Sequence, residues 1–599
     1  MKNKNYFLKC LLLAIGTGFS FSLKMNINGV IVSSRDTNVF IALLISLFCF
    51  WFYTKYLNIP QKKTFTVIAG CLSILMIFGY SYDITGSAKL IYANLNLIII
   101  SLIKLISLFF LFRTALNLLY EKVVNLHLID KKPLKKIGEL FSSHPFLFSF
   151  VVILLCYIPY LIAFYPGIMC NDPINQIKEF LGIPTRYLDS VIALNPDVTI
   201  TNFNPVLHTL LLGSTFKLGM LLGNNNIGMF LYTIIQTIIM ISIFSYAVYY
   251  LKKEGVPKIL LYITLGIFAL TPVFPFYALA NVKDSLFSVF ILLYIIQLYD
   301  LIKNETSLRG YVYLFLSAML VILFRNNGIY TVILSLPFIL IVVKNKRVEL
   351  IITLTMIILT TIFYTRILLP SLGISNTSIR EMLSIPFQQT ARLVKYHEDI
   401  IESHDKELID KVLIYDTLAD RYETRISDPV KNRYNKEATK EDLKAYFQVW
   451  FKYLLKKPGV YIDATIANVY GYFYPDTSWW YIYYNYNDRV ISTEMEYSYN
   501  ALENVRYILQ GFGVFFPRIP LIGMFVNIGF IVWSYVVMLG ILIVNKTKKY
   551  IPLLLPAFSL ILVCIASPVN TYFRYAQPFI FSLPVVAFLL YNVLKKEKN

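Results

Sequence analysis

Charged residues are scarce in this sequence. They make up 15% of its 599 residues, whereas 57% are hydrophobic and the mean hydropathy is +0.61. Soluble globular chains carry about 25% charged residues, so an ordinary soluble domain is excluded. Apolar runs of about 17 to 25 residues recur along the chain, and each is long enough to cross a ~30 Å hydrocarbon core as a helix. The composition therefore predicts an all-α, multi-pass membrane protein.

Cysteine and histidine are also scarce, with six and five copies in the chain. No spacing typical of a zinc site occurs among them. A disulfide framework is excluded as well, because only Cys170 lies in a polar loop. The other cysteines lie in or at apolar runs, at Cys10, Cys49, Cys71, Cys156 and Cys564.

Acidic residues are outnumbered, with 35 Asp and Glu against 55 Lys and Arg, for a net charge of +20. This excess does not indicate nucleic-acid binding, because the basic residues cluster at the ends of apolar runs, where they mark membrane topology. The clusters are Lys2, Lys4 and Lys9; Lys55, Lys62 and Lys63; Arg113, Lys122, Lys131, Lys132, Lys135 and Lys136; Lys252 and Lys253; Lys344, Lys346 and Arg347; Lys546, Lys548 and Lys549; and Lys595 and Lys596.

The apolar runs predict fourteen membrane spans, which place every basic cluster on one side. By the positive-inside rule both termini are then cytoplasmic. Residues 205–222 are excluded from the count, because counting them would place Lys252, Lys253 and every later basic cluster outside. Their interruption by Lys217 and several glycines predicts an amphipathic helix in the outer interface. The spans are 6–23, 38–57, 65–80, 90–112, 146–165, 226–250, 257–280, 284–301, 309–324, 327–344, 348–369, 521–544, 551–567 and 575–594.

The spacing of the spans divides the chain into four regions. Residues 1–145 form a four-span extension with a basic cytoplasmic loop, and residues 146–369 form a seven-span core with an outer loop at 166–225. A polar segment at 370–520 is too long for a simple connector and predicts a mainly helical external domain. Residues 521–599 form a three-span module.

The outer loop opens with Tyr165-Pro-Gly-Ile-Met-Cys-Asn-Asp-Pro-Ile-Asn-Gln176. Pro166 and Gly167 end the preceding span, and Asp172 followed by Pro173 predicts an N-cap and a first helical residue. Two interpretations of Asp172 remain open at this point. The carboxylate either caps a helix or acts as a catalytic base at the membrane surface.

Other ionisable residues lie at the same predicted outer boundary, where charges are costly and therefore indicate function. Such residues are Lys283, Asp284, Arg325, Glu381 and Arg574. A carboxylate beside cations suits the transfer of a sugar from a lipid phosphate, because the reaction needs a base and a stabilised leaving phosphate. Arginine matches phosphate oxygens bidentately.

Simpler interpretations of these residues exist. Each arginine could extend to the lipid headgroups, and Lys283 and Asp284 could pair with each other. His208 lies on the predicted interface helix and serves either to position a substrate or to make a structural hydrogen bond. The aromatic stretch 469–486 fits an interface anchor or a glycan contact.

A divalent metal at Asp172 would need a second carboxylate from elsewhere in the chain. The sequence does not choose among the candidates, which are Asp189, Asp197, Asp284 and Glu381.

Over residues 146–599 the pattern resembles the GT-C superfamily of integral-membrane glycosyltransferases, in a bacterial branch distantly similar to protein O-mannosyltransferases and aminoarabinose transferases. The resemblance rests on Tyr165-Pro-Gly, Asp172, Gln176, Asn204-Pro-Val-Leu-His-Thr209, Lys283-Asp284, Phe324-Arg-Asn-Asn-Gly328, Glu381, Ile385-Pro-Phe-Gln-Gln389 and Arg574-Tyr575.

This resemblance implies a GT-C-like core and an inverting transfer on the outer face. The donor would be a sugar on polyprenyl phosphate or diphosphate, and the acceptor an envelope glycan, glycopolymer or lipid. Asp172 would be the catalytic base, and Mg²⁺ or Mn²⁺ a potential cofactor. Arg325, Arg574 and Lys283 would bind the donor phosphate. The resemblance gives substrate-positioning roles to Asn171, Gln176, His208, Asp284, Glu381 and Gln388.

The sequence departs from better-known members of the superfamily. It lacks paired acids in the first outer loop, has Asn204 where a histidine is usual, and follows Trp479 and Trp480 with Tyr481 instead of an aspartate. Two other functions remain as alternatives. One is a transporter or flippase of a lipid-linked glycan, and the other is a non-catalytic scaffold for envelope assembly.

Overall fold

The computed structural model describes residues 2–22, 24–27, 30–33, 39–126, 128, 135–185, 188, 198–303, 307–343, 346–375, 379–475, 497–499, 502–567 and 569–597. Helices dominate these residues, and the strands among them form one short antiparallel hairpin in which β1, Lys24–Ile27, pairs with β2, Val30–Ser33.

The chain up to residue 371 contains most of the long apolar helices, together with several short ones. In chain order its helices are α1 Lys2–Ser22, α2 Val39–Tyr56, α3 Lys63–Thr85, α4 Lys89–Tyr92, α5 Leu95–Asn125, α6 Lys135–Ser143, α7 Pro145–Ala163, α8 Asn171–Phe180, α9 Val206–Leu221, α10 Asn225–Lys253, α11 Lys258–Leu270, α12 Val273–Leu279, α13 Lys283–Ile302, α14 Leu308–Phe324, α15 Gly328–Val342 and α16 Arg347–Phe363. A π-helical stretch, Tyr364–Leu368, joins α16 to α17, Leu369–Ser371.

The second half begins with shorter helices and ends with apolar ones. Its α-helices are α18 Ser384–His397, α19 Ser403–Asp410, α20 Leu418–Arg421, α21 Asp428–Lys431, α22 Lys440–Lys456, α23 Pro458–Val469, α24 Glu503–Phe515, α25 Ile528–Val544, α26 Leu555–Ile565 and α27 Phe573–Lys596. The 3₁₀ turns are Ile379–Met382, Glu398–Ile400, Tyr470–Tyr472, Phe516–Arg518, Gly523–Val526 and Lys548–Leu554.

Eight helices of the described chain are long and apolar enough to cross a membrane. They are α3, α5, α7, α10, α13, the continuous α16 to α17, the Lys548–Ile565 segment that contains α26, and α27. The protein is therefore a multi-pass membrane protein. The predicted spans at 6–23, 38–57, 309–324, 327–344 and 521–544 coincide with α1, α2, α14, α15 and α25, which are not among these eight, so the number fourteen stays a prediction.

The structure corrects two predicted spans. The run at 257–280 is not one straight helix, because α11 and α12 meet at an angle of 51°. Pro272 explains the break, since proline has no N–H to donate and disfavours a helical residue before it. The run at 521–544 starts too early, because α25 begins at Ile528, where the Asn527 side chain accepts a hydrogen bond from Phe530 N at 2.8 Å.

Polar contacts gather the helix ends at two faces of the molecule. α27 is 24 residues long, and a helix of that length spans about 36 Å. Arg574 lies in its first turn, whereas at its last turn Lys595 Nζ donates to Val124 O and Lys596 Nζ to Glu254 O, both at 3.0 Å. The face of the molecule that contains Arg574 is called the Asp172 face. The face that contains Lys595, Lys596, Val124 and Glu254 is called the opposite face. The basic ends of α5, α10 and α27 share the opposite face, and its cytoplasmic location stays a prediction.

The region between α17 and α24 has a hydrophobic core of its own, which includes Phe387, Leu413 and Tyr446. It contacts the Asp172 face of the membrane helices. Arg425 Nη2 lies 3.1 Å from Asp83 Oδ1 at the end of α3, and Asn570 N donates to Arg425 O at 2.8 Å. This region therefore packs on the same face as the start of α27.

Candidate functional site

Asp172 lies in the first turn of α8, whose N-cap residue is Cys170. The prediction that Asp172 is the N-cap is therefore wrong, and Pro173 is the third helical residue, not the first. The carboxylate does not cap the helix because it pairs with Arg574 and Lys283 instead. Its charge still suits a helix N-terminus, where the helix dipole favours anions.

Two loops lie side by side and bring Asp172 to the start of α13. Ile168 N donates to Leu279 O at 2.9 Å, and Asn281 N donates to Ile168 O at 3.0 Å. This short parallel bridge precedes α8 in one loop and α13 in the other. Asp172 and Lys283 therefore meet although 111 residues separate them.

Gly167 allows the first of these loops to pack closely. Its φ is +143°, and a Cβ at this position would lie 2.3 Å from Thr233 Oγ1. That hydroxyl also donates to Pro166 O at 2.9 Å. A larger residue at Gly167 would displace the loop that leads to Asp172.

Five charged side chains form a chain of alternating sign at this place. Lys283 Nζ lies 3.4 Å from Asp172 Oδ2, which lies 3.0 Å from Arg574 Nη1. Arg574 Nε lies 3.1 Å from Asp284 Oδ2, and the other oxygen of Asp284 contacts Arg325 Nη1. We call these five residues the ion-pair chain. It disproves the interpretation that Lys283 and Asp284 pair with each other.

The ion-pair chain joins four distant segments and is mostly buried. Asp284 is 0% exposed, and Arg574 and Arg325 are 6% and 7% exposed. Lys283 and Asp284 begin α13, Arg325 ends α14, Arg574 begins α27 and Asp172 begins α8. Since three cations contact two carboxylates, the five side chains carry a formal charge of +1.

Aromatic rings line the cations. Arg325 lies 4.7 Å from the centre of the Tyr575 ring, and Arg574 lies 5.0 Å from that of Tyr572. Such contacts stabilise a cation without neutralising it. The rings therefore help to hold the two guanidinium groups in place.

The cations decide the protonation state of Asp172. Burial raises the pKa of its carboxyl, but the charges of Arg574 and Lys283 outweigh burial and hold that pKa well below its usual range. Asp172 is therefore ionised near neutral pH. It is also a weak base while both cations remain in contact with it.

Glu179 belongs to this neighbourhood, although sequence reasoning missed it. It lies seven residues after Asp172 on α8, and residues two turns apart share one face of a helix. Glu179 Oε2 accepts from Thr201 N at 2.9 Å, and Oε1 accepts from Thr185 Oγ1 at 3.2 Å. The loop it holds leads to Asn204, whose side-chain oxygen accepts from Lys283 Nζ.

His208 and Gln176 form a buried hydrogen-bond network beside the ion-pair chain. His208 Nδ1 lies 3.1 Å from Gln176 Oε1, and His208 Nε2 lies 2.7 Å from the Tyr232 hydroxyl. Burial, followed by the Lys283 charge, lowers the pKa of His208 to about 3, so the ring is neutral near pH 7. These contacts correspond to the structural interpretation of His208.

The geometry can now be compared with known proteins. A family of unknown function, DUF6020, matches residues 7–599. The chain belongs to the DUF6020 family. No curated protein and no solved structure matches it. The family match includes the first four predicted spans, whereas the GT-C resemblance begins at residue 146, so the N-terminal extension is an integral part of the DUF6020 family.

Two other predicted site residues of this DUF6020 protein, Gln388 and Asn171, make hydrogen bonds with residues outside the ion-pair chain. Gln388 Nε2 donates to Glu423 O in the region between α17 and α24. Asn171 is exposed at the start of α8, and its backbone oxygen accepts from Asn175 Nδ2 at 2.7 Å. Asp189, Asp197, the Glu381 side chain and residues 476–486 of the aromatic stretch lie outside the described residues.

The described part of this DUF6020 chain contains no group of three His, Cys, Asp or Glu side chains that could hold a metal ion. At the ion-pair chain the reason is electrostatic, because Lys283 and Arg574 contact Asp172 Oδ2 and two arginines contact both oxygens of Asp284. The described residues therefore do not fit a resident divalent metal at Asp172.

Each cation of the ion-pair chain already contacts a carboxylate. A cavity of about 360 Å³ lies on the opposite face of the DUF6020 chain, where Phe141, Lys252, Val256 and Lys258 contribute to its lining. A ligand anion that binds one of these cations would therefore have to displace an existing ion pair.

Proposed function

We propose that this protein is a membrane glycosyltransferase that moves a sugar from a polyprenyl-phosphate or diphosphate donor to a cell-envelope acceptor. The observation that carries the proposal is the ion-pair chain, in which three cations from distant helices, two of them buried, meet two carboxylates at one membrane face. The excess cation offers a site to a phosphate at the level where lipid headgroups lie.

In the proposed reaction the donor phosphate binds Arg574 and Arg325. Guanidinium forks match phosphate oxygens in pairs. Competition for Arg574 removes its 3.0 Å contact with Asp172 Oδ2 and leaves that oxygen with Lys283 at 3.4 Å. The loss of that contact raises the pKa of Asp172 and makes it a stronger base.

The proposed transfer itself follows from this rearrangement. Asp172 takes the proton of the acceptor hydroxyl, whose oxygen attacks the anomeric carbon of the donor sugar. The bond from that carbon to the phosphate oxygen breaks, and the phosphate leaves with the bonding electrons. The cations stabilise the negative charge that develops on it. Attack opposite the leaving phosphate inverts the anomeric carbon.

The test compares envelope glycans in a deletion strain complemented with wild-type or Asp172→Asn protein. We expect the wild type to restore a sugar that the deletion removes, and Asp172→Asn not to restore it. Glu254→Gln is the matched control, because it changes a buried carboxylate on the opposite face, where Lys303 Nζ lies 2.9 Å from Glu254 Oε2. Expression and thermal unfolding show whether each variant folds.

Full restoration by Asp172→Asn would exclude Asp172 as the base. If the deletion removes the sugar and Asp172→Asn restores it, the transporter, flippase or scaffold alternatives gain support. If the deletion changes no envelope sugar, the glycosyltransferase proposal fails.

A further inference from the structure

α24 lies at the Asp172 face and presents an apolar row outward. Val505, Ile508, Phe512 and Phe515 are 38%, 71%, 40% and 58% exposed. Their spacing of three, four and three residues places them on one side of the helix. Water is an unfavourable environment for such a row, because exposed apolar surface costs about 25 cal/mol per Å².

Another side of α24 is fixed to the membrane helices. Arg506 Nη1 donates to Ala163 O at 3.0 Å, at the last residue of α7. Gly513, also on this side, is buried. A third side carries polar groups, with Glu503 in the first turn and Gln510 two turns later. The helix therefore has a protein side, an apolar side and a polar side.

The apolar side of α24 continues a surface that belongs to a membrane-spanning helix. α7 is one of the eight helices that are long and apolar enough to span, and its Leu155, Ile158 and Ile162 are 60%, 36% and 54% exposed. Ile162 precedes Ala163, to which Arg506 is bonded. A bilayer that covers the exposed row of α7 therefore reaches the apolar row of α24.

The residues after α24 extend the same surface. Leu521 and Ile522 are 78% and 49% exposed, and they precede the apolar helix α25. An amphipathic helix that adjoins two lipid-facing segments fits a position in the plane of the membrane interface. A protein partner that covers α24 alone would not account for the exposed apolar residues of α7 or for exposed Leu521 and Ile522.

We propose that α24 is an in-plane helix, embedded in the bilayer leaflet at the Asp172 face. Val505, Ile508, Phe512 and Phe515 contact the acyl chains, whereas Glu503 lies in the headgroup layer. The ligand of this surface is the lipid bilayer. The proposal is independent of the reaction at Asp172.

The embedded helix fixes the depth of the Asp172 site. The segment before α24 packs on α10 and α8, since Ser498 N donates to Asn226 Oδ1 at 3.1 Å and Tyr497 belongs to the same hydrophobic cluster as Ile177 of α8. α24 thus connects the lipid surface to the helix that carries Asp172. The ion-pair chain consequently lies at headgroup depth and not at the bilayer centre.

Spin labels on α24 test this position in the full-length protein. Single cysteines at Ile508, Phe512, Glu503 and Tyr507, in a chain without the native cysteines, are labelled and reconstituted in phosphatidylcholine and phosphatidylglycerol vesicles. We expect collisions with oxygen to dominate at Ile508 and Phe512, and collisions with a water-soluble nickel chelate to dominate at Glu503 and Tyr507.

Two outcomes would overturn the proposal. Equal exposure of Ile508 and Glu503 to the nickel chelate would place the whole helix in water. Low collision rates with both reagents at Ile508 would indicate a protein partner or a second copy. As a label-free check, Ile508→Lys should lower the thermal unfolding midpoint in vesicles more than the adjacent Tyr507→Lys, and equal shifts would contradict lipid contact at Ile508.

Discussion

The two ends of α13 carry lysines in different surroundings. Just past its last residue, Lys303 Nζ lies 2.9 Å from Glu254 Oε2. At its first residue, Lys283 enters the ion-pair chain, where three cations contact two carboxylates and Asp284 is completely buried. The excess of one cation in the ion-pair chain costs desolvation energy, and an anionic ligand would offset that cost.

The largest expected effect comes from substituting Asp284, the completely buried carboxylate in the first turn of α13. Asp284→Asn leaves Arg325 and Arg574 without their shared carboxylate, and the free energy of unfolding should fall by about 3–5 kcal/mol. Glu254→Gln should cost less, because it removes one ion pair instead of two and because Lys303 is 17% exposed and can regain water. Thermal unfolding in detergent measures both. Equal losses would show that the two ends do not differ.

The second prediction concerns phosphate binding by the ion-pair chain, whose formal charge is +1. A sugar-free polyprenyl phosphate at a hundredfold excess over its dissociation constant should stabilise the protein by about 2.7 kcal/mol. Arg325→Met should reduce this gain, whereas Lys303→Met, at the other end of α13, should not. The thermal unfolding midpoint is measured with and without the lipid. An equal gain in both variants would exclude the ion-pair chain as the phosphate site.

The third prediction concerns pH. Unfolded histidine has a pKa of about 6.5, and burial with the Lys283 charge lowers that of folded His208 to about 3. Below pH 6.5 the unfolded chain binds a proton that the folded chain does not, so stability falls by up to about 2 kcal/mol at pH 5. Asp172 adds no loss in this range, because its pKa is depressed and its ion pairs persist to lower pH.

Two variants isolate the effect of His208. His208→Gln should remove most of the decrease in unfolding midpoint between pH 7 and pH 5. His404→Gln is the control, because His404 is exposed and its substitution should leave the pH dependence unchanged. An unchanged pH profile in His208→Gln would show that other groups cause the acid effect.

The sequence predicted a multi-pass membrane protein, because the length of each apolar run and the scarcity of charged residues in it can be read from the sequence directly. Each predicted span range contains an apolar helix, although length and apolarity support only eight spans independently. The joint between α11 and α12 was missed because periodicity does not reveal a bend, although Pro272 gave a local signal. The grouping of Asp172, Lys283, Arg325 and Arg574 was expected from their common helix-end position.

The pairing within the site could not be predicted in the same way. Each ion pair joins segments at least 41 residues apart, so no local pattern fixes which carboxylate meets which cation. The sequence therefore left open whether Asp172 caps a helix and whether Lys283 and Asp284 pair with each other. The Glu179 position was readable from its seven-residue spacing to Asp172, but the hydrogen bonds to Thr201 and Thr185 depend on the tertiary fold.

The smallest expected effect belongs to a more exposed ion pair on the Asp172 face. Asp83 and Arg425 join α3 to the region between α17 and α24 at 3.1 Å, and their side chains are 31% and 28% exposed. Exposed pairs contribute about 0.2–1 kcal/mol, so Asp83→Asn should lower the free energy of unfolding by less than 1 kcal/mol. A loss as large as that of Asp284→Asn would contradict burial as the cause of the difference between ion pairs. Because Arg425 O accepts from Asn570 N, four residues before Arg574, envelope-sugar restoration by Asp83→Asn also tests whether this docking positions the ion-pair chain.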